Sequence, residues 1–235
     1  MKIKTKMLSA ALLLAVSASS FAQHEVGRFS IIPRLGVSLA NLTNNDMYYV
    51  PSANNLSKLK SRNKAGLLIG ADIDYQALPC LSVSAGVYYS MQGARYSDYQ
   101  EAGATDKQFV GNSDNHIDMQ YINVPLMANL YVSQGLAFKL GVQAGFLLDA
   151  QNKSEVTDIT IKDENEKEYG RPQKLKADMD CNSFDISIPV GISYEYMNVI
   201  LDARYNIGLS NIYKIDEFKS KNKFFTFTVG YRFGL

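Results

Sequence analysis

Large apolar residues recur at every second position along eight stretches of this chain, the pattern of strands whose two faces meet different surroundings. SIIPRLGVSL (30–39) puts Ile31, Pro33, Leu35, Val37 and Leu39 on one face. GLLIGADIDY (66–75) does the same from Leu67 to Tyr75, LSVSAGVYYSM (81–91) from Leu81 to Met91, and YINVPLMANLYV (121–132) from Ile122 to Leu130. The second half repeats the theme in AFKLGVQAGFLL (137–148), FDISIPVGISYE (184–195) and VILDARYNIGL (199–209). FFTFTVGYRFGL (224–235) closes the series with Phe225, Phe227, Val229, Tyr231, Phe233 and Leu235 in one row. Each stretch has about the 9–11 residues with which a tilted strand crosses a bilayer.

The connections alternate too. QALPC, SQGL and YMN make short turns, while long polar segments occupy 41–64, 93–118, 149–183 and 209–222. Short turns at one end, long loops at the other and an even strand count predict an all-β, eight-stranded, antiparallel up-and-down transmembrane barrel. Pro125 and Pro189 fall inside strands, where each removes a ladder hydrogen bond, so a bulge or local distortion is expected at both. VTDITI alternates again inside the third long segment and predicts a hairpin beyond the membrane.

Alternation alone leaves open whether the apolar rows point outward to lipid or inward around a greasy ligand, as in a soluble barrel. The opposite face decides for lipid. It holds nine of the sixteen glycines, among them Gly36, Gly70, Gly141, Gly191 and Gly234, small residues suited to the crowded interior of a narrow barrel. It also holds Arg34, Lys139, Arg204 and Arg232 against Asp72, Asp74, Asp185, Glu195 and Asp202, a set expected to pair across the lumen. The aromatics of the apolar face sort by end. Tyr75, Phe138, Tyr194, Tyr231 and Phe233 lie by the short turns, and Tyr89, Phe146, Phe184 and Phe225 by the long loops. Two aromatic belts around an aliphatic band match a bilayer.

The first residues set the compartment. Lys2, Lys4 and Lys6 precede the apolar run MLSAALLLAV and the small residues around Ala22, a secretory leader with cleavage expected after Ala22. The domains are therefore a leader at 1–22 and a barrel at 23–235. Losing three lysines takes the balance from 24 basic and 23 acidic residues to 21 and 23, without the clustered basic face that nucleic acid requires. Tyrosine (15) and phenylalanine (11) are abundant and tryptophan is absent, a composition suited to alternating strands. Cys80 and Cys181 fall at opposite ends of the topology and are expected as free thiols.

YINVPLMANLY, LAFKLGVQAGFLL, FDISIPVGISYEY, VILDARYNIGLSNIY and the final FTVGYRF resemble the PorT-like outer-membrane β-barrel family of Bacteroides-type bacteria. The resemblance covers nearly all of the chain after the leader. It implies a barrel of the OmpA/OmpX kind in the outer membrane, with periplasmic termini, extracellular long loops and a C-terminal aromatic insertion signal at Tyr231 and Phe233. Its namesake branch is associated with a secretion apparatus.

Candidate chemistry is sparse. His24 and His116 have no partner at metal-ligand spacing. SDNHID (113–118) groups Ser, Asp and His in what reads as a polar loop, the residue types of a surface hydrolase without evidence of their geometry. Asp72 and Asp74 share a strand face and read either as paired acids or as partners of the lumen arginines. KDENEKE (162–168) is acid-rich without the glycine and spacing of a calcium loop. NLT, NLS and NKS match a glycosylation pattern that carries no information in a bacterial product. No catalytic residue, metal or cofactor is expected. The expected partners are outer-membrane lipid, the barrel-insertion machinery and an extracellular protein or glycan. Rival readings are an accessory subunit of a secretion or envelope complex, a surface enzyme using His116, and a soluble periplasmic ligand-binding barrel.

Overall fold

The computed structural model describes residues 25–52, 55–105, 107–163, 166–214 and 219–235. The expected leader and His24 lie outside the described residues. The described residues form fourteen strands: β1 (Phe29–Leu42), β2 (Met47–Ser52), β3 (Asn55–Leu59), β4 (Lys64–Leu78), β5 (Leu81–Arg95), β6 (Tyr99–Ala102), β7 (Gln108–Ser133), β8 (Leu136–Asp163), β9 (Glu166–Tyr169), β10 (Gln173–Asp178), β11 (Phe184–Tyr196), β12 (Val199–Gly208), β13 (Asn222–Tyr231) and β14 (Phe233–Gly234).

Among the described residues all ladders are antiparallel, and eight long strands pair in succession: β1, β4, β5, β7, β8, β11, β12 and β13, with β13 pairing β1. One row of directly paired residues runs Phe29, Tyr75, Val83, Ala128, Leu140, Val190, Tyr205, Phe225 and Leu39. It returns to β1 ten residues from its start. Every member of this row lies on the apolar outer face of its strand.

The outer face is greasy throughout. Leu35, Ile73, Val87, Leu140 and Val229 are each more than half exposed. Aromatic rings pair at both ends of the band. Phe29 and Tyr75 (4.8 Å) and Tyr231 and Phe233 (4.8 Å) meet near the short turns. Phe146 and Phe184 (5.5 Å) and Tyr205 and Phe225 (4.5 Å) meet near the long segments. The inner face buries serine, asparagine, glutamine and charge instead. Backbones approach closely there: a Cβ at Gly36 would stand 2.0 Å from Phe227 O. Gly234 departs from the expectation, being exposed with open space around it.

The distortion expected at each proline takes the form of one interrupted ladder without a bulge. At Pro125 the pairing with Gln143 is continuous, and toward β5 the ladder lapses between Ala85–Leu126 and Tyr88–Asn123 without a register shift. Pro189 pairs Asn206 on one side and loses contact on the other, between Ser187–Gln143 and Val190–Leu140, again in register. The N–H and C=O of one antiparallel residue point to the same neighbour, so a proline weakens one ladder and leaves the other intact.

The long segments are less loop-like than expected. β7 (26 residues) and β8 (28 residues) stay paired from the short turn at Ser133–Leu136 out to Gln108–Thr160. β6 pairs the outer part of β7, and β9 and β10 pair the outer part of β8. The hairpin foreseen at VTDITI is thus one part of a five-stranded projecting sheet, and 93–118 and 149–183 are largely strand. Gly93 has a positive φ (+126°) opposite Asp118 on β7, and a Cβ there would stand 1.9 Å from Ile117 O. β2 and β3 form a separate hairpin whose Tyr49 ring lies 4.7 Å from that of Tyr99 on β6.

Candidate functional site

Alternation along β1, β4, β8, β11, β12 and across the β13–β14 junction aims the predicted charges at one another, and the result is two clusters on the buried inner face. In the first, Arg34 bonds Asp72 (2.7 Å) and reaches Asp202 (3.6 Å). Arg204 bonds Asp202 (2.7 Å) and approaches Asp72 (3.5 Å), and Lys139 Nζ lies 2.5 Å from Asp202. All five side chains are at most 8% exposed. Three cations face two carboxylates, so this cluster carries one net positive charge.

The second cluster lies nearer the short turns. Arg232 donates to Asp74 (2.8 Å), to Glu195 (3.1 Å) and to the Tyr131 hydroxyl (3.1 Å). Ser82 and Asn129 donate to Asp74 (2.8 and 3.1 Å). Its net charge is one negative, and the two clusters cancel. Asp72 and Asp74, two residues apart on β4, belong to different clusters and do not form a paired-acid site.

Asp185 is the exception among the predicted lumen charges. It is 7% exposed, yet its partners are Ser210 Oγ and Asn222 Nδ2 (3.4 Å), with no basic side chain among the described residues. Tyr231 (43% exposed) and Phe233 (53% exposed) lie on the outer face at the short-turn end, opposite Val199 and Ile31.

At the long-segment end the polar inner face gives way to an apolar core: Leu42, Ala94, Tyr96, Ile117, Met119, Tyr121, Ala150, Cys181 and Ile212. Sequence reasoning missed it, because most of these residues fall in the long polar segments, Met119 lies just beyond one, and Tyr121 only opens the fourth predicted strand. Ile117, Met119 and Tyr121 continue the inward alternation of β7, but the register shift after Gln120 hides the matching pattern on β8. Asn45 ties this core together, accepting from the Tyr213 hydroxyl (2.8 Å) through its side chain and from the Tyr96 hydroxyl (2.8 Å) through its carbonyl. Burial pushes the Tyr213 phenol up to about 12 and the Cys181 thiol up to about 11, so both stay neutral. Cys80 and Cys181 are free thiols.

SDNHID lies within β7 rather than in a loop. Its bulge shifts the register between Ser113 and His116, with Asp114 at φ +50°. The Ser113 hydroxyl donates to Glu155 O (3.3 Å), while His116 Nδ1 sits 2.6 Å from Asp114 O and Nε2 3.6 Å from Asp118. Asp118 itself joins Lys64 (2.6 Å) and Lys153 (2.5 Å). Serine and histidine therefore engage different partners, an arrangement that fastens strands together and brings no base to the hydroxyl. No group of three or more potential metal ligands occurs among the described residues.

Solved structures with similar chain traces include Ail, the attachment invasion locus protein of Yersinia pestis, at 14% identity and a TM-score of 0.39 over 89% of this chain and 100% of that one. Neisserial surface protein A matches at 13% identity and a TM-score of 0.40 over 87% and 97%. The outer membrane protease OmpT of Escherichia coli matches at 12% identity and a TM-score of 0.28 over 89% and 97%. No curated protein matches. Residues 21–214 match the outer membrane protein beta-barrel domain family, and the chain belongs to that family of outer-membrane proteins.

Proposed function

We propose that the eight long strands close into a transmembrane barrel with a sealed lumen, and that the chain is a non-enzymatic surface protein. Its projecting β6–β10 sheet would meet a protein or glycan outside the cell. The observation that carries this reading is the paired row from Phe29 to Leu39. A displacement of ten residues over eight strands corresponds to a tilt of about 40° and a radius of about 8 Å, with strands about 4.8 Å apart and residues about 3.3 Å apart. Such a barrel has room for side chains only. The cancelling ion clusters and the apolar cap fill this one, which argues against a pore.

Polarity follows from the same asymmetry. The short turns and both ends of the described chain lie at one end, read here as periplasmic. The projecting sheet lies at the other, where exposed Tyr169, Arg171, Lys174 and Lys176 present aromatic and charged groups. Tyr231 and Phe233 would engage the insertion machinery. The PorT-like resemblance adds a finer reading, an accessory part of an envelope apparatus, in which partners would touch the wall or the short turns.

The test is affinity purification of the full chain in mild detergent beside a variant whose projecting sheet is replaced by tight turns. The account expects the variant to keep heat-modifiable mobility and lose its extracellular partner. Retained binding would move the interface to the wall or turns and favour the accessory reading. Large stable channels in planar bilayers would overturn the sealed lumen, and loss of a hydrolytic activity in His116→Ala would overturn the non-enzymatic assignment.

A further inference from the structure

The outer face changes character above its apolar band. On β5 and β7 the direct pairs climb by twos from Tyr89–Ile122 through Met91–Gln120 and Gly93–Asp118 to Arg95–His116. The Tyr89 hydroxyl donates to Gln120 Oε1 (2.9 Å), so the climb stays on the outer face. At its top the row extends to both sides. Arg62, just before β4, exchanges backbone hydrogen bonds with Arg95 (2.7 and 3.0 Å), His116 pairs Lys153 on β8, and Lys153 pairs Lys176 on β10. Directly paired residues share a face, so Arg62, Arg95, His116, Lys153 and Lys176 form one row of basic side chains. With neighbouring segments about 4.8 Å apart, the row spans about 19 Å. Acids meet only its middle. Asp114 bonds Arg95 (3.3 Å) and lies 3.4 Å from His116 Nδ1, while Asp118 bonds Lys153 (2.5 Å) and Lys64 (2.6 Å). Asp178, two residues along β10 from Lys176, accepts from Gln151 Nε2 instead (3.3 Å). Arg62 and Lys176, at the ends, are exposed and make no ion pair among the described residues.

Like charges directly opposite one another destabilise a sheet, so the Arg62–Arg95 and Lys153–Lys176 pairs oppose folding until an anion lies across them. The height of the row selects the source of that anion. Six residues above the level of Tyr89 and Phe146, on strands tilted by about 40°, put it about 15 Å farther from the bilayer centre. A phospholipid headgroup layer is only about 5–8 Å thick, so the row stands above it, at the level of a sugar headgroup. We propose that the row binds the phosphate-bearing saccharide headgroup of an outer-leaflet glycolipid and fastens the base of the projecting sheet to the membrane surface. The row continues the lipid-facing side of the same strands, which favours a membrane-anchored ligand over a free one. The inference goes beyond the extracellular partner of the projecting sheet and rests on the proposed barrel only for the orientation of the wall.

The test titrates fluorescently labelled rough lipopolysaccharide, which carries a phosphorylated core, onto the full folded chain in dodecyl maltoside and reads anisotropy. Arg62→Gln with Lys176→Gln should weaken binding about 30-fold, the effect of two basic side chains near an anionic surface, and should retain heat-modifiable mobility. Stripping the phosphates from the glycolipid with hydrogen fluoride should weaken binding to the wild-type chain at least as much. Equal affinity of wild type and variant, or undiminished affinity for the stripped glycolipid, would overturn the proposal. Displacement of the glycolipid by an equal concentration of the free phosphorylated core oligosaccharide would refute the membrane source. If the double variant does not fold, Lys176→Gln alone decides: a loss of about fivefold supports the row, and unchanged affinity sinks it.

Discussion

Replacing Asp202 by asparagine is the sharpest probe of the lumen. The substitution keeps shape and removes one charge that three cations share: Lys139 at 2.5 Å, Arg204 at 2.7 Å and Arg34 at 3.6 Å. At an effective dielectric of about 20 the gross attractions are about 7, 6 and 5 kcal/mol. Much of that offsets the desolvation of the four groups, and removing one partner of a buried network costs about 3–5 kcal/mol in practice. Asp202→Asn leaves Arg34, Arg204 and Lys139 facing Asp72 alone, so the cluster goes from one to two net positive charges. We expect a loss of about 3–5 kcal/mol in urea unfolding of the detergent-folded protein, followed by heat-modifiable mobility or far-ultraviolet circular dichroism, since the chain has no tryptophan. Adding Lys139→Met restores the original net charge and should recover about half of the loss. A single variant within about 0.5 kcal/mol of wild type, or a double variant as unstable as the summed singles, would refute this account of the cluster.

Two further outcomes follow from the ends of the molecule. Cys181, buried in the outer cap, should react with maleimide far more slowly than the partly exposed Cys80 at pH 8. Its rate should rise about tenfold per pH unit toward pH 11, and equal rates at pH 8 would contradict the packing. The folded thiol ionises about two units above its ordinary value of 9.0, so its contribution to stability is complete below pH 9 and is lost as pH rises toward 11. In intact cells a membrane-impermeant maleimide should miss Cys80 until the outer membrane is permeabilised; labelling before that would invert the orientation. Tyr231→Ala with Phe233→Ala should lower the amount of barrel assembled in the outer membrane several-fold, read on unheated gels. Unchanged assembly would remove these two side chains from the insertion step.

The wall was legible in the sequence because its information is local. A period of two sorts Leu35 from Gly36 and Asp72 from Ile73 wherever one face is greasy, and the outward rows of all eight strands follow that rule. The two ion clusters needed one step more. Alternation aims Arg232 inward, but only the register among β4, β11 and β13 brings it to both Asp74 and Glu195. Asp185 looked like its neighbours in sequence and differs because the cations it was expected to meet lie deeper, spent on Asp72 and Asp202. The outer cap stayed hidden for a different reason. Ile117, Met119 and Ala150 sit beyond the apolar band among polar residues, and the extra residue of β8 opposite Gln120 and Tyr121 breaks the alternation that would betray Ala150. The prolines announced a local disturbance, but only the strand order shows that each missing N–H interrupts one neighbouring ladder and leaves the other intact.

The most direct test of a lipid-facing wall is site-directed spin labelling along Phe224–Leu235 in lipid vesicles. Labels at 225, 227, 229 and 231 should be strongly accessible to oxygen and shielded from a water-soluble nickel complex. Labels at 226, 228 and 230 should be shielded from both, because a sealed lumen excludes each reagent. Nickel access at 225, 227 and 229, or no alternation between the two rows, would contradict a transmembrane barrel.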